Sequence, residues 1–168
     1  MTLQIPEDMK AVMYQTWLPE LMRTLLEEIK QLPKEHREAL LTKMCTTCEE
    51  MAMAGAVGIQ PGMSWDDYVK YVREAPPPIG PWRIEHDGNT YDLIYDATMG
   101  PDGKPMCHCP LVQLGMLNEH IPFCCDSGAR LSGKMIAAAT KKQVESAQVV
   151  DSPLRTGAPV CHYRVRVK

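Results

Sequence analysis

Seven cysteines carry most of the chemistry legible in this sequence, and they fall into short groups: Cys45-x-x-Cys48, Cys107-x-Cys109, Cys124-Cys125 and the separate Cys161. An odd number of thiols cannot all be consumed by disulfides. The leading stretch MTLQIPEDMKAVMYQ has early acidic residues and no apolar run of the signal-peptide kind, so a cytoplasmic chain with reduced thiols is expected. Closely spaced thiols in a reducing compartment point to metal ligation or redox chemistry. The competing reading is that each buried cysteine serves as a small hydrophobe.

The spacing suggests a role for each group. Cys107-His108-Cys109 is tighter than the C-x-x-C of ordinary zinc knuckles, yet both sulfurs of an extended C-x-C can face one metal. Adjacent Cys124 and Cys125 diverge, so one is expected to ligate and the other to pack. Cys161 would close the site from the last strand. Four thiolates of this kind suit tetrahedral zinc or an iron–sulfur cluster. Cys45 and Cys48 share a helical face and read as packing residues with Cys48 toward the core; they become additional ligands if the helical half folds over the C-x-C loop. His120 is a further candidate ligand or proton carrier. His108 and His162 each neighbour a cysteine and, by alternation, face away from it. Glu119 and Asp126 read as a solvated charge and a helix cap. The sequence contains no Ser-His-Asp order, phosphate-binding loop, dinucleotide fingerprint or HExxH motif.

The elements that must position these thiols follow from periodicity. Residues 7–31 show apolar residues at three- and four-residue steps, with Pro19 suited to starting a second helix inside the stretch. A further helix is expected from Lys34 to about Ala54. Ser64 and Asp67 form a capping-box pattern ahead of SWDDYVKYVREA. The AGAVGIQPGM stretch reads as a loop and PPPIGP as a stiff spacer. WRIEH and TYDLIYD alternate around Asp87-Gly88-Asn89, a hairpin signal. ATMGPDGKPM reads as a loop, and CHCPLVQLGML as a loop leading into a short helix. Residues 123–140 are expected to be helical with Asp126 or Ser127 as N-cap. Residues 143–151 and VCHYRVRVK read as strands joined by the connection SPLRTGAP. In the final strand Cys161, Tyr163, Val165 and Val167 share one apolar face, so Cys161 points inward.

With 168 residues, 45% apolar and 23% charged, the chain has the composition of a globular domain with its own core. A net charge of −3 and no apolar run long enough to span a bilayer argue against nucleic-acid and membrane surfaces. Twelve methionines suit a plastic pocket wall.

The order C-x-C-P, FCCDSGARLSG, DSPLRTGAP and VCHYRVRV over residues 105–168 resembles the vinyl-4-reductase-type small-ligand-binding domains and the related 2-aminothiazoline-4-carboxylate hydrolase-like proteins. The likeness centres on a turn of the type R-x-G-x-x-x-C, here Arg155 to Cys161, before an alternating strand. In sensor domains of this kind, cysteines and an acidic residue hold zinc. The resemblance therefore implies ligation by the Cys124–Cys125 pair and Cys161, with Asp151 near the place of the acidic ligand. This sequence has Pro153 and Leu154 where a further cysteine is expected, and adds Cys107 and Cys109, a departure that favours an iron–sulfur cluster.

The expected fold is α+β: a helical subdomain over residues 1–75, packed on an antiparallel sheet with helices over residues 82–168, as one compact unit. The expected function is a cytoplasmic metal-binding protein that senses redox state or a small-molecule ligand, or supports an enzyme. The alternative is a hydrolase-like enzyme acting on a small sulfur- or nitrogen-containing ring or amide, with Cys125 or Cys109 as nucleophile or a metal-bound water. A third reading is a helical homodimer whose thiols only pack.

Overall fold

The computed structural model describes residues 6–51, 53, 63–74, 83–113, 117–118 and 120–168, the side chains of residues 38 and 122–124 excepted. Helix α1 (Glu7–Val12) runs through a π-helical turn, Met13–Trp17, into α2 (Leu18–Gln31), and α3 (Lys34–Met51) and α4 (Trp65–Glu74) follow. Strands β1 (Arg83–Asp87) and β2 (Thr90–Asp96) form a hairpin, and β3 (Thr98–Met99) and β4 (Pro105–Met106) form a second, minimal one. Then come α5 (Pro110–Gln113), α6 (Pro122–Thr140), β5 (Val144–Asp151), α7 (Pro153–Thr156) and β6 (Val160–Val167). Most of the AGAVGIQPGM loop and all of the PPPIGP spacer lie outside the described residues.

Local chemistry accounts for the element ends. Pro19 sits in the first turn of α2 without ending the helix, and the wider π turn lies just ahead of this residue with no N–H to donate. The Ser64 hydroxyl accepts the Asp67 N–H at 3.1 Å while the Asp67 carboxylate accepts the Ser64 N–H at 3.3 Å and its hydroxyl at 2.7 Å, so the capping box forms as expected. Gly88 turns the first hairpin at φ 58°, in the left-handed region that glycine enters without a steric penalty.

The fold is α+β. The four-stranded sheet has the order β1-β2-β6-β5 and is antiparallel throughout. In β6, Cys161, Tyr163, Val165 and Val167 are buried, while Arg164 and Arg166 are exposed on the opposite face. Helix α6 covers the buried face with a stripe at helical spacing: Ala129, Ser132, Met135, Ile136 and Ala139. Helix α3 packs in turn on α6. No described helix is long and apolar enough to cross a membrane.

Three expectations are corrected. First, the buried stripe of α3 is Leu41, Cys45 and Glu49, and Cys48 is exposed. The apolar pattern pointed Cys48 inward because it had no reason to bury a carboxylate. Glu49 is nonetheless buried: it accepts hydrogen bonds from Arg130 Nε and Lys134 Nζ of α6, both at 2.7 Å. That pairing rotates α3 by about one position. Second, α6 starts at Pro122 with extended Ile121 ahead of it, so Asp126 and Ser127 lie inside the helix rather than capping it. Proline suits that position because the first turn needs no N–H. Third, the connection SPLRTGAP contains a helical turn, α7, whose N-cap Ser152 accepts the Arg155 N–H at 3.2 Å.

Candidate functional site

The C-x-C segment is fixed from both sides. The Gln113 side-chain amide donates to the Cys107 carbonyl at 2.6 Å and to Thr98 Oγ1 at 2.7 Å, tying α5 back onto the second hairpin. The His108 ring bonds the Asp96 carbonyl through Nε2 at 2.6 Å and meets the Tyr95 ring edge-on, with centroids 4.7 Å apart. His108 is thus spent on the end of β2, facing away from the sulfurs, as alternation along an extended segment requires. His162 likewise bonds Asp92, at 2.6 Å, on the outer face of the sheet.

Between this loop, β6 and α7 lies a nest of donors around one sulfur. The Cys161 thiol, the Leu154 N–H and the Ser152 hydroxyl act as donors toward the Cys107 sulfur. The bond from Cys161 does most to lower the Cys107 thiol, burial opposes it, and the remaining donors bring the group to about 7. Hydrogen bonds made to the charged form stabilise that form. Cys161 is driven strongly the other way, first by donating its proton to Cys107 and then by burial. Behind Cys161 the Tyr95 hydroxyl contacts the Tyr163 hydroxyl at 2.8 Å and also reaches the Cys161 sulfur, so a buried polar chain runs from Tyr163 through Tyr95 and Cys161 to Cys107. Gly128 makes room for it: a Cβ there would collide with the Tyr163 Oη and Cζ.

Three more thiols lie within electrostatic reach. Burial raises Cys109, while the N–H groups of Leu111 and Val112 at the start of α5 hold it down, and Cys48 and Cys107 repel its charge. Burial pushes the Cys125 thiol up to about 11, with the Ile121 backbone opposing and Cys107, Cys109 and Asp126 adding repulsion. The Cys48 thiol, on the exposed side of α3, is raised by partial desolvation, then by Cys45 and Glu49. Thiols from α3, the C-x-C loop, α6 and β6 are thus brought to one region, and the Glu49 bonds to Arg130 and Lys134 bind α3 over it.

The other sequence-predicted residues are placed differently. Cys45 is buried in the core on the α3–α6 side. The Cys124 side chain and Glu119 lie outside the described residues. Asp151 stands opposite His162 in the β5–β6 register. His120 lines an open cleft of about 520 Å³ with Asp126, Arg130 and Arg155. Among the described residues no three His, Cys, Asp or Glu side chains form a ready single-ion site. No family model and no curated protein matches this chain.

Sequence reasoning passed over Ser152, Leu154, Tyr95 and Tyr163. Ser152 carried a signal, since Ser-Pro is a common way to open a helix. The tyrosines did not: alternation put Tyr163 inside, but only the strand register brings it to Tyr95.

Proposed function

We propose that this protein uses cysteine thiolates, centred on Cys107 with Cys109, Cys125 and Cys161, to hold an iron–sulfur cluster or zinc in a redox- or ligand-sensing or accessory role. The observation that carries this reading is the approach of thiols from separate elements within electrostatic reach of one another, Cys107 with Cys161, Cys109 and Cys125, and Cys48 with Cys109. Unshielded thiolates repel one another, and a cation between them removes that cost. A cluster suits the arrangement better than a single ion, because its irons and sulfides stand between ligand sulfurs and set them further apart. Cys48 of α3, within reach of Cys109, supplies a further ligand position. Thiols kept free in this way fit a reducing compartment such as the cytoplasm.

The test is metal and acid-labile sulfide analysis, with visible absorbance, on protein purified without oxygen. Stoichiometric iron with sulfide, or zinc, lost in Cys107→Ser and Cys109→Ser, is the expected result. Metal-free protein whose heat stability is untouched by those substitutions overturns the reading.

One observation favours a second reading, a hydrolase-like enzyme with a cysteine nucleophile. The donors of Cys161, Ser152 and Leu154 all converge on Cys107, the arrangement that readies a thiolate for attack. In that case Cys107 takes the role that spacing gave to Cys125 or Cys109, and metal-free protein alkylates at Cys107 before any other cysteine.

A further inference from the structure

The cleft beside the thiols is built from α6, β5 and α7, and its charge is not that of an ordinary surface dent. Arg155 Nη1 donates to the Val149 carbonyl at 2.6 Å, which aims the guanidinium along the cleft wall. Among the described residues no carboxylate pairs with Arg155. Arg130, on the facing helix, also lines the cleft and keeps its Nε on Glu49. Ala147 and Val149 of β5 are the two apolar residues in a lining that is otherwise polar, with Gln148 and His120 beside them. Asp126 lies at the α6 side of the same opening and is exposed.

The cleft also abuts the thiols through the chain itself. Arg155 follows Leu154, whose N–H bonds the Cys107 sulfur, and Asp126 follows Cys125. A ligand seated on Arg155 therefore bears on the element that holds Cys107.

We infer that this cleft binds a small organic monocarboxylate, its carboxylate on the Arg155 guanidinium and its carbon skeleton on Ala147 and Val149. A guanidinium fork matches a carboxylate with two parallel N–H···O bonds. One guanidinium with no carboxylate partner among the described residues balances one negative charge, and the Asp126 carboxylate in the same opening disfavours a dianion such as phosphate. This names the ligand class for the sensing role proposed above and rests on that reading for its purpose; the binding itself needs no metal.

The experiment titrates the full chain with butyrate, butyramide and inorganic phosphate at constant ionic strength, following backbone amide resonances, with metal content measured on every sample. Saturable shifts at Ala147 and Val149 with butyrate are expected, and no saturation with butyramide. Arg155→Gln should weaken butyrate at least tenfold, about 1.4 kcal/mol, and Arg155→Lys by less, while Arg166→Gln on the outer sheet face leaves it unchanged. If Arg155→Gln does not fold, Arg155→Lys decides, because any weakening there supports the bidentate contact and none overturns it. Absence of saturation, equal binding of butyramide, or tighter binding of phosphate overturns the inference. Butyrate binding by metal-free protein leaves this inference standing and removes only the metal reading; thiol-held metal without butyrate binding does the reverse.

Discussion

Replacing Gly128 by alanine tests the packing behind the thiols, because two effects of opposite sign meet there. In a helix interior, Gly→Ala ordinarily stabilises by about 0.5–1 kcal/mol through backbone entropy and propensity. Here the new methyl would fall within contact of the Tyr163 Oη and Cζ and 3.0 Å from Cε1. Tyr163 is buried in the sheet between Leu93 and Val149 on the neighbouring strands. Overpacking a filled core costs about 1–3 kcal/mol. If the ring shifts, the Tyr95–Tyr163 hydroxyl pair at 2.8 Å opens inside the protein, adding about 1–3 kcal/mol for a buried group left unpaired. The net expectation, with the ring displaced, is a loss of about 1–5 kcal/mol, or roughly 2–20 °C of Tm for a chain of this size. Gly133, on the same helix, is the internal control. The nearest atoms to its Cβ would be the Ala147 methyl at 3.3 Å and the Val144 methyls at 3.6 and 3.7 Å, so Gly133→Ala should change stability far less. Thermal unfolding by circular dichroism measures both, and in a Tyr163→Leu background, which removes the ring, Gly128→Ala should stabilise by up to about 1 kcal/mol. A Gly128→Ala protein as stable as the parent, or more stable, refutes the account of how α6 meets β6.

Ser152→Ala removes both the α7 cap and a donor to Cys107, so the pH midpoint for alkylation of Cys107 should rise from about 7, with a stability loss of about 1 kcal/mol from the cap; an unmoved midpoint would show that the hydroxyl does not hold the thiolate. At the outer face, burial alone would raise the Asp92 carboxyl, but hydrogen bonds from Arg164 and His162 outweigh it and hold the group below its ordinary range. Its contribution is therefore complete above the ordinary carboxyl range near pH 4 and disappears as pH falls through the lowered value. Asp92→Asn should destabilise at pH 6 and match the parent at strongly acidic pH, as measured by urea unfolding, and an equal difference at both would contradict the assignment.

The sequence by itself determined the elements whose signals are local. Alternation in VCHYRVRVK set which side of β6 is buried, because strand side chains can face only two ways. Gly88 set the first hairpin and Ser64 with Asp67 set the start of α4, since a turn and a cap each need only a few neighbouring residues. Grouped cysteines in a chain with an odd number of them marked the region of interest. Tertiary structure decided what depends on partners far along the chain. The orientation of α3 follows from Glu49 meeting Arg130 and Lys134, 81 and 85 residues away, and no periodicity of α3 alone encodes that pairing. The inequality between the thiols has the same origin. Among the described thiols Cys107 is lowered because the fold brings the donors of Cys161, Ser152 and Leu154 to it, while burial, and then neighbouring charges, raise Cys125. Residue type makes a sulfur ionisable; the arrangement of donors, charges and solvent around it decides where the proton resides.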